Sequence, residues 1–300
     1  MSPFALVLIL VAAVAHATWN LFSKQAATTG AVFFIWLLAV AASGLYAPVV
    51  AVVAVAGHPH LAGLNWVFLV GTGVLEAGYF LFLQFGYRKG DLSLVYPVGR
   101  GTGALLAALA GIVLLGERPG PVALAGIGCI VAGIIAIGIP IGIPVGSRAT
   151  DAAEAPTRPP VAMAVALALC TGAFIAGYTI WDKYAVTDLR TPPMLQGYAA
   201  FPFMALAFAP LVMRDTQRLA RVWREFRRQV IAAAVLAPLA YVLVLVALSF
   251  SAVSAIAPAR EVSILFGVVL GRRLLGEGGM ARKLTAAAAI VAGIVAVAFG

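Results

Sequence analysis

Leu114-Leu115-Gly116-Glu117 closes one apolar run of this chain, and Leu274-Leu275-Gly276-Glu277 closes another. The surrounding punctuation recurs with them. Val131-Ala132-Gly133-Ile134 returns as Val291-Ala292-Gly293-Ile294, and Arg100 returns at the same offset as Arg260. Ser93 and Pro97 match Ser254 and Pro258 with one residue of slippage, and Lys24 and Lys183 close the first helix of each half. Apolar stretches often agree by chance; polar, glycine and proline positions do so far less. The chain therefore reads as two copies of one unit, residues 3–139 and 160–299, joined by a linker over 140–159 whose most polar part is Ser147–Pro159.

What lies between these landmarks is too apolar for water. Hydrophobic residues make up 63% of the chain, charged residues 10%, and the mean hydropathy is +1.05. A soluble domain carries roughly 25% charged residues, so the soluble globular classes are excluded. A helix needs about 20 mostly apolar residues to cross the hydrocarbon core. Ten stretches meet or approach that length: Pro3–Phe22, Ala31–Val55, Trp66–Tyr87, Leu92–Leu115, Pro121–Ile139, Pro160–Trp181, Pro193–Met213, Gln229–Phe250, Ala252–Leu275 and Leu284–Phe299. The expected fold is all-α: a polytopic membrane protein of ten transmembrane helices, arranged as two five-helix repeats. Five is odd, so the second copy is expected to sit inverted relative to the first.

Charge supplies an independent reading of the same topology. With the connectors numbered in order, the odd ones hold Lys24, Arg88, Lys89, Arg148, Arg158, six arginines from Arg214 to Arg228, Arg272, Arg273, Arg282 and Lys283. The even ones hold Arg118, Lys183 and Arg190. The positive-inside rule places the odd connectors in the cytoplasm and both termini outside, for a multi-pass protein of the cell (inner) membrane. The net charge of +9 is thus accounted for by position, and no nucleic-acid partner is expected. Cys129 and Cys170 stand singly in apolar runs without a CxxC spacing, and read as small core residues. The run from Phe4 to Ala15-His16-Ala17 resembles a cleavable signal but lacks its basic start, and reads as a mature helix. No phosphate loop, metal pair or nucleophile elbow occurs. No cofactor, metal or catalytic residue is expected, and the protein is not read as an enzyme. The expected partners are a small-molecule substrate and the lipid bilayer, with the chain a monomer or homodimer.

Each ionisable residue inside a span costs at least ~2.5–3.5 kcal/mol on insertion scales and so needs a reason. Glu76, Arg100, Arg260 and Glu261 stand out. Arg100 lies eight residues into its helix, a depth of roughly 12 Å at 1.5 Å per residue. Arg260 lies as deep from the opposite face. Two converging guanidinium forks suit a carboxylate or phosphate; the competing reading pairs them internally with Glu76 and Glu261. Glu76 has an apolar counterpart, Ala237, and is the candidate for coupling, because a carboxyl in a dry site can exchange a proton. His16, Trp19 and Asn20 share one helical face, and with Tyr79, Tyr96, Tyr178 and Tyr241 they form a candidate cavity lining. Trp181 stands at a similar depth in the matching helix. Singly, each of these reads as an interhelical hydrogen bond or an interfacial anchor. Lys24, Asp182 and Lys183 sit at span ends as snorkelling anchors or a gate pair. Pro97 and Pro258 free backbone carbonyls early in the helices that carry the arginines, and Gly99, Gly101 and Gly103 surround Arg100. Interruptions at matching positions of two halves point to a transporter's binding site.

These residues carry a resemblance. Asp91-Leu-Ser-Leu-Val-Tyr96-Pro97-Val-Gly-Arg100-Gly101, followed by Leu114-Leu115-Gly116-Glu117, resembles the EamA domain of the drug/metabolite transporter superfamily. Ala259-Arg260-Glu261-Val-Ser263 through Glu277 is similar to the C-terminal EamA repeat, and His16-Ala-Thr-Trp19-Asn20 to the opening helix of many members. The resemblance implies ten helices, an inverted repeat and alternating access around a central cavity. It implies substrates among amino acids, nucleotide sugars, phosphorylated sugars or drugs. The chain departs from the compact four-helix drug exporters, whose first helix carries an essential carboxylate where this one carries His16. The expected function is secondary-active transport of a small anionic or zwitterionic metabolite, by proton coupling or exchange. A non-transporting scaffold or sensor and an exporter of hydrophobic drugs are the alternatives.

Overall fold

The computed structural model describes residues 3–57, 59, 61–114, 120–138, 161–250, 262–276 and 279–299, and all regular structure among them is helical. In chain order the helices are α1 (Pro3–Gly57), α2 (Gly63–Lys89), α3 (Leu92–Leu114), α4 (Pro121–Gly138), α5 (Val161–Thr187), α6 (Pro193–Val212), α7 (Thr216–Phe250), α8 (Ser263–Leu275) and α9 (Met280–Phe299). A 3-10 turn, Met213–Asp215, joins α6 to α7. Helix α1 bends at Gly30 (φ −172°, ψ 71°) into arms 3–29 and 31–57, and α7 bends at Phe226 (φ −117°, ψ 17°).

Four helical stretches are long and apolar enough to cross a membrane: Phe4–Gly57, Gly63–Lys89, Val161–Thr187 and Pro193–Ala247. The first and last are 54 and 55 residues long. Since about 20 residues cross the hydrocarbon core, each has the length for two passes. The molecule is an all-helical, multi-pass membrane protein. Of the ten spans expected, the ninth lies partly outside the described residues, and α8 covers its last 13 residues. The linker, Ser254, Pro258, Glu117 and Glu277 also lie outside the described residues.

Polarity runs inside out, as a lipid solvent requires. Helix α2 buries Asn65, Thr72, Glu76, Tyr79, Gln84 and Tyr87 and turns Trp66, Val67, Val70 and Val74 outward. Val55 and Leu206 are 70% and 76% exposed, which suits acyl chains and would be untenable in water. Cys129 and Cys170, expected in the core, instead lie exposed on this outer surface. A thiol is apolar enough for lipid contact, so burial was not needed to satisfy it.

Helix α1 packs on α7, α6, α2 and α8; α5 packs on α2 and α3; α4 packs on α9. The repeated Val-Ala-Gly-Ile motif lies in the last of these contacts. A Cβ on Gly293 would stand 2.5 Å from the carbonyl oxygen of Gly126, and one on Gly133 would stand 2.6 Å from Ile290 Cγ1. Small residues allow this approach, and dispersion then holds helices that have no hydrophobic effect to associate them within lipid. At the other recurring motif, Gly276 adopts φ 68° and donates its N–H to Arg272 O, closing α8 with a left-handed cap.

Connectors meet in two separate sets. Arg218 Nη2 donates to Thr29 O (3.0 Å), Lys24 Nζ to Tyr87 O (2.6 Å), and Lys283 Nζ to Asp91 Oδ2 and Ser93 Oγ (2.7 Å each). These bonds link connectors one, three, seven and nine. Asn65 Nδ2 donates to Leu189 O (3.1 Å) and Thr191 Oγ1 (2.9 Å), linking connectors two and six.

Candidate functional site

Glu76 stands at the midpoint of α2, and the polar residues of the core gather around its level. One turn earlier, the Thr72 hydroxyl donates to Asp182 Oδ1 of α5. Gln196 of α6 donates through Nε2 to the same oxygen (2.9 Å) and to Thr72 Oγ1 (2.6 Å). The Tyr241 hydroxyl of α7 donates to Asp182 Oδ2. A carboxylate 99% removed from solvent thus receives three donors from three other helices. That arrangement offsets much of the cost of burying a charge, because each hydrogen bond favours the ionised form. Trp181 adds a bond from Nε1 to Phe68 O (2.9 Å).

Glu76 is 6% exposed and lies close enough to Asp182 for their charges to interact. It makes no hydrogen bond or ion pair among the described residues. The internal Glu76–Arg100 pair considered from the sequence is therefore not formed. Two carboxyls in one buried region have different surroundings: among the described residues, one is held by donors and the other is not.

Arg100, 4% exposed, extends from α3 toward α8. Its Nη2 reaches Ser263 Oγ at 3.5 Å, and its guanidinium lies 5.8 Å from the Tyr96 ring centroid. The Tyr96 hydroxyl donates to the same Ser263 oxygen (2.9 Å). Gly267 makes room for this ring, since a Cβ there would come within 2.4 Å of Tyr96 Cδ1. Of the glycines around Arg100, Gly103 meets α5 closely, with Ile175 Cγ2 2.6 Å from an added Cβ. Arg260 and Glu261 lie outside the described residues.

A run of aromatic rings leads from α1 to Tyr241, which bonds Asp182. Centroid separations are 5.4 Å for Trp19–Phe80, 5.1 Å for Phe80–Tyr79, 5.6 Å for Tyr79–Tyr178 and 6.0 Å for Tyr178–Tyr241. The last three are edge-to-face, the geometry that ring quadrupoles favour. Tyr79 is within electrostatic range of Tyr178, Arg100, Tyr96 and Glu76.

Other expected site residues are engaged elsewhere. Trp19 Nε1 donates to His16 Nδ1 (3.2 Å), Asn20 Nδ2 donates to His16 O (2.7 Å), and the Tyr87 hydroxyl donates to Asn20 Oδ1. Both ends of the Asn20 amide are thus occupied, Nδ2 within α1 and Oδ1 in joining α1 to α2. Lys24 is neither snorkelling nor paired with Asp182: its ammonium takes Tyr87 O and Gly90 O at the C-terminal end of α2, where the helix dipole favours a cation. Asp182, five residues before the end of α5, is a buried acceptor, while Lys183 is exposed. Sequence reading gave no site role to Thr72, Gln196 or Ser263, the last quoted only within a family motif. An uncharged polar residue is less conspicuous in a span than a charged one, so none of the three raised a signal as a site residue.

The residues 3–139 match the sequence model of the EamA-like transporter family. A solved crystal structure of a protein 18% identical to this chain superposes with a TM-score of 0.58, covering 97% of this chain and 98% of the other. At that identity the likeness establishes a shared fold alone. No curated protein matches.

Proposed function

We propose, from the EamA-like transporter domain that residues 3–139 carry, that this protein is a secondary-active transporter of a small zwitterionic or anionic metabolite. The observation that carries this reading is that Arg100 and Glu76, both buried, lie within electrostatic range of one ring, Tyr79, in a core built by helices from both halves of the chain. The Arg100 guanidinium takes the substrate carboxylate or phosphate as a fork. The side nearer Glu76 and Asp182 takes an ammonium group where the substrate has one, and the tyrosine rings flank the path between. Glu76, held by no donor among the described residues, is the group that gains or loses a proton or a cationic substrate during the cycle.

Two inverted five-helix repeats account for the packing. Exchanging the halves converts the α2–α5 contact into α7–α1, and α3–α5 into α8–α1, and both members of each pair occur. The separate meeting of odd and even connectors supports alternating membrane passes, with the odd set cytoplasmic and both termini outside. Rocking of one repeat against the other then opens the site to either face.

The test is uptake into liposomes made with the purified protein, across a panel of labelled amino acids, organic anions and phosphorylated sugars. Transport of a zwitterion or anion is expected, with Arg100→Gln reducing it at least tenfold. Normal transport and affinity in Arg100→Gln would overturn the anion assignment. Absence of uptake across the whole panel would favour a scaffold or sensor.

A further inference from the structure

The connector between α6 and α7 is not a loop. From Thr216 it is already helical, and it continues into the spanning part of α7 past the bend at Phe226. Between Arg214 and Arg228 it carries six arginines against two acids, Asp215 and Glu225. Its apolar side is spoken for: Val222 and Phe226 are buried, and a Cβ on Gly30 would lie 2.6 Å from Val222 Cγ2. Arg218 is also committed, with Nε and Nη2 on Thr29 O and its guanidinium 5.3 Å from the Phe33 centroid. The segment is thereby fixed against the bend of α1.

What remains faces outward. Arg221 and Arg224 are exposed one helical turn apart, and Arg227 and Arg228 are exposed just past the bend at Phe226. Among the described residues, Arg224 bonds within its own helix, through Nε to Ala220 O (3.3 Å). Trp223, 40% exposed, lies beside them. A rigid basic face at the end of membrane spans, next to an exposed indole, is the composition that settles at the headgroup level of a bilayer. Guanidinium forks bind phosphodiesters bidentately, so charge and position select one occupant.

We infer that the Arg214–Arg228 segment is a docking surface for anionic phospholipid headgroups, clamped to the Gly30 bend of α1. The inference stands independently of the transport reading, because it concerns lipid on the outer surface and not the buried core.

The experiment is native mass spectrometry of the purified full chain after exposure to an equimolar mixture of phosphatidylglycerol and phosphatidylcholine with matched acyl chains. The wild type is expected to retain phosphatidylglycerol preferentially. Each arginine removed in the series R221Q, R221Q/R224Q and R221Q/R224Q/R228Q should reduce that preference by roughly 5-fold. R88Q/K89Q, on another connector, should leave it unchanged. All these side chains are exposed, so an unaltered melting temperature is expected and confirms folding. Equal retention of both lipids by the wild type, an undiminished preference in the triple variant, or an acidic polypeptide held in place of lipid would overturn the inference.

Discussion

At Asp182 three donors converge on one carboxyl, and the fate of that arrangement on substitution follows from counting lone pairs. Asp182→Asn replaces an acceptor oxygen with an amide donor that faces hydroxyls already donating. A loss of about 1–3 kcal/mol is expected, read as a lower melting temperature in detergent. Tyr241→Phe removes one of the three bonds and should cost about 1 kcal/mol. Glu76→Gln should be tolerated better, since no described donor depends on the carboxylate. If Glu76 couples transport to protons, that variant should still exchange substrate while its rate loses dependence on pH. An unchanged pH profile would remove Glu76 from the coupling step. Ionisable residues such as Glu76 and Arg100 could be found in the sequence because their insertion cost makes them conspicuous. Thr72, Gln196 and Ser263 could not, since only their neighbours reveal what they do.

Between elements, glycine decides how near the helices come. Gly293→Ala places a methyl 2.5 Å from a backbone oxygen of α4, which no rotamer change relieves. Overpacking of this kind costs about 1–3 kcal/mol. Gly128→Ala, in the same contact pair, meets nothing within 4 Å and should gain up to ~1 kcal/mol of helix propensity. Opposite shifts in melting temperature for two glycine-to-alanine changes would locate the effect in the α4–α9 approach. The Leu-Leu-Gly-Glu motif has a separate logic. Gly276 closes α8 at φ 68°, and Gly276→Ala should cost about 1 kcal/mol through left-handed strain alone. The two motifs that reveal the duplication thus serve different ends: one brings helices together and the other stops one.

For the molecule as a whole, the testable property is which surfaces share a side of the membrane. Cysteines placed at Gly63 and at Arg221, in a background lacking Cys129 and Cys170, should react with an impermeant thiol reagent from opposite faces. Tags at the two termini should be accessible from the side of residue 63. Labelling of residues 63 and 221 from one face would break the inverted-repeat reading. Alternating access further requires that bonds on the odd-connector side, such as Lys283–Asp91, part when the site opens there. Asp91→Asn should therefore shift the balance of conformations without touching the core.

Composition alone determined the solvent, and hydropathy together with the basic connectors determined that the chain crosses it repeatedly as helices. The reading of the chain as two copies rests on glycine, proline and charge, which recur where apolar residues carry no information. Those properties are local: each depends on a residue and the medium around it. Tertiary structure decided that Asp182 is a deeply buried acceptor, that Lys24 caps α2, that the cysteines lie exposed, and that a guanidinium and a carboxyl both come within electrostatic range of Tyr79. Every one of these depends on which helix faces lie against each other. In lipid that choice is made by shape and by pairing of polar groups, not by the hydrophobicity that a linear sequence displays.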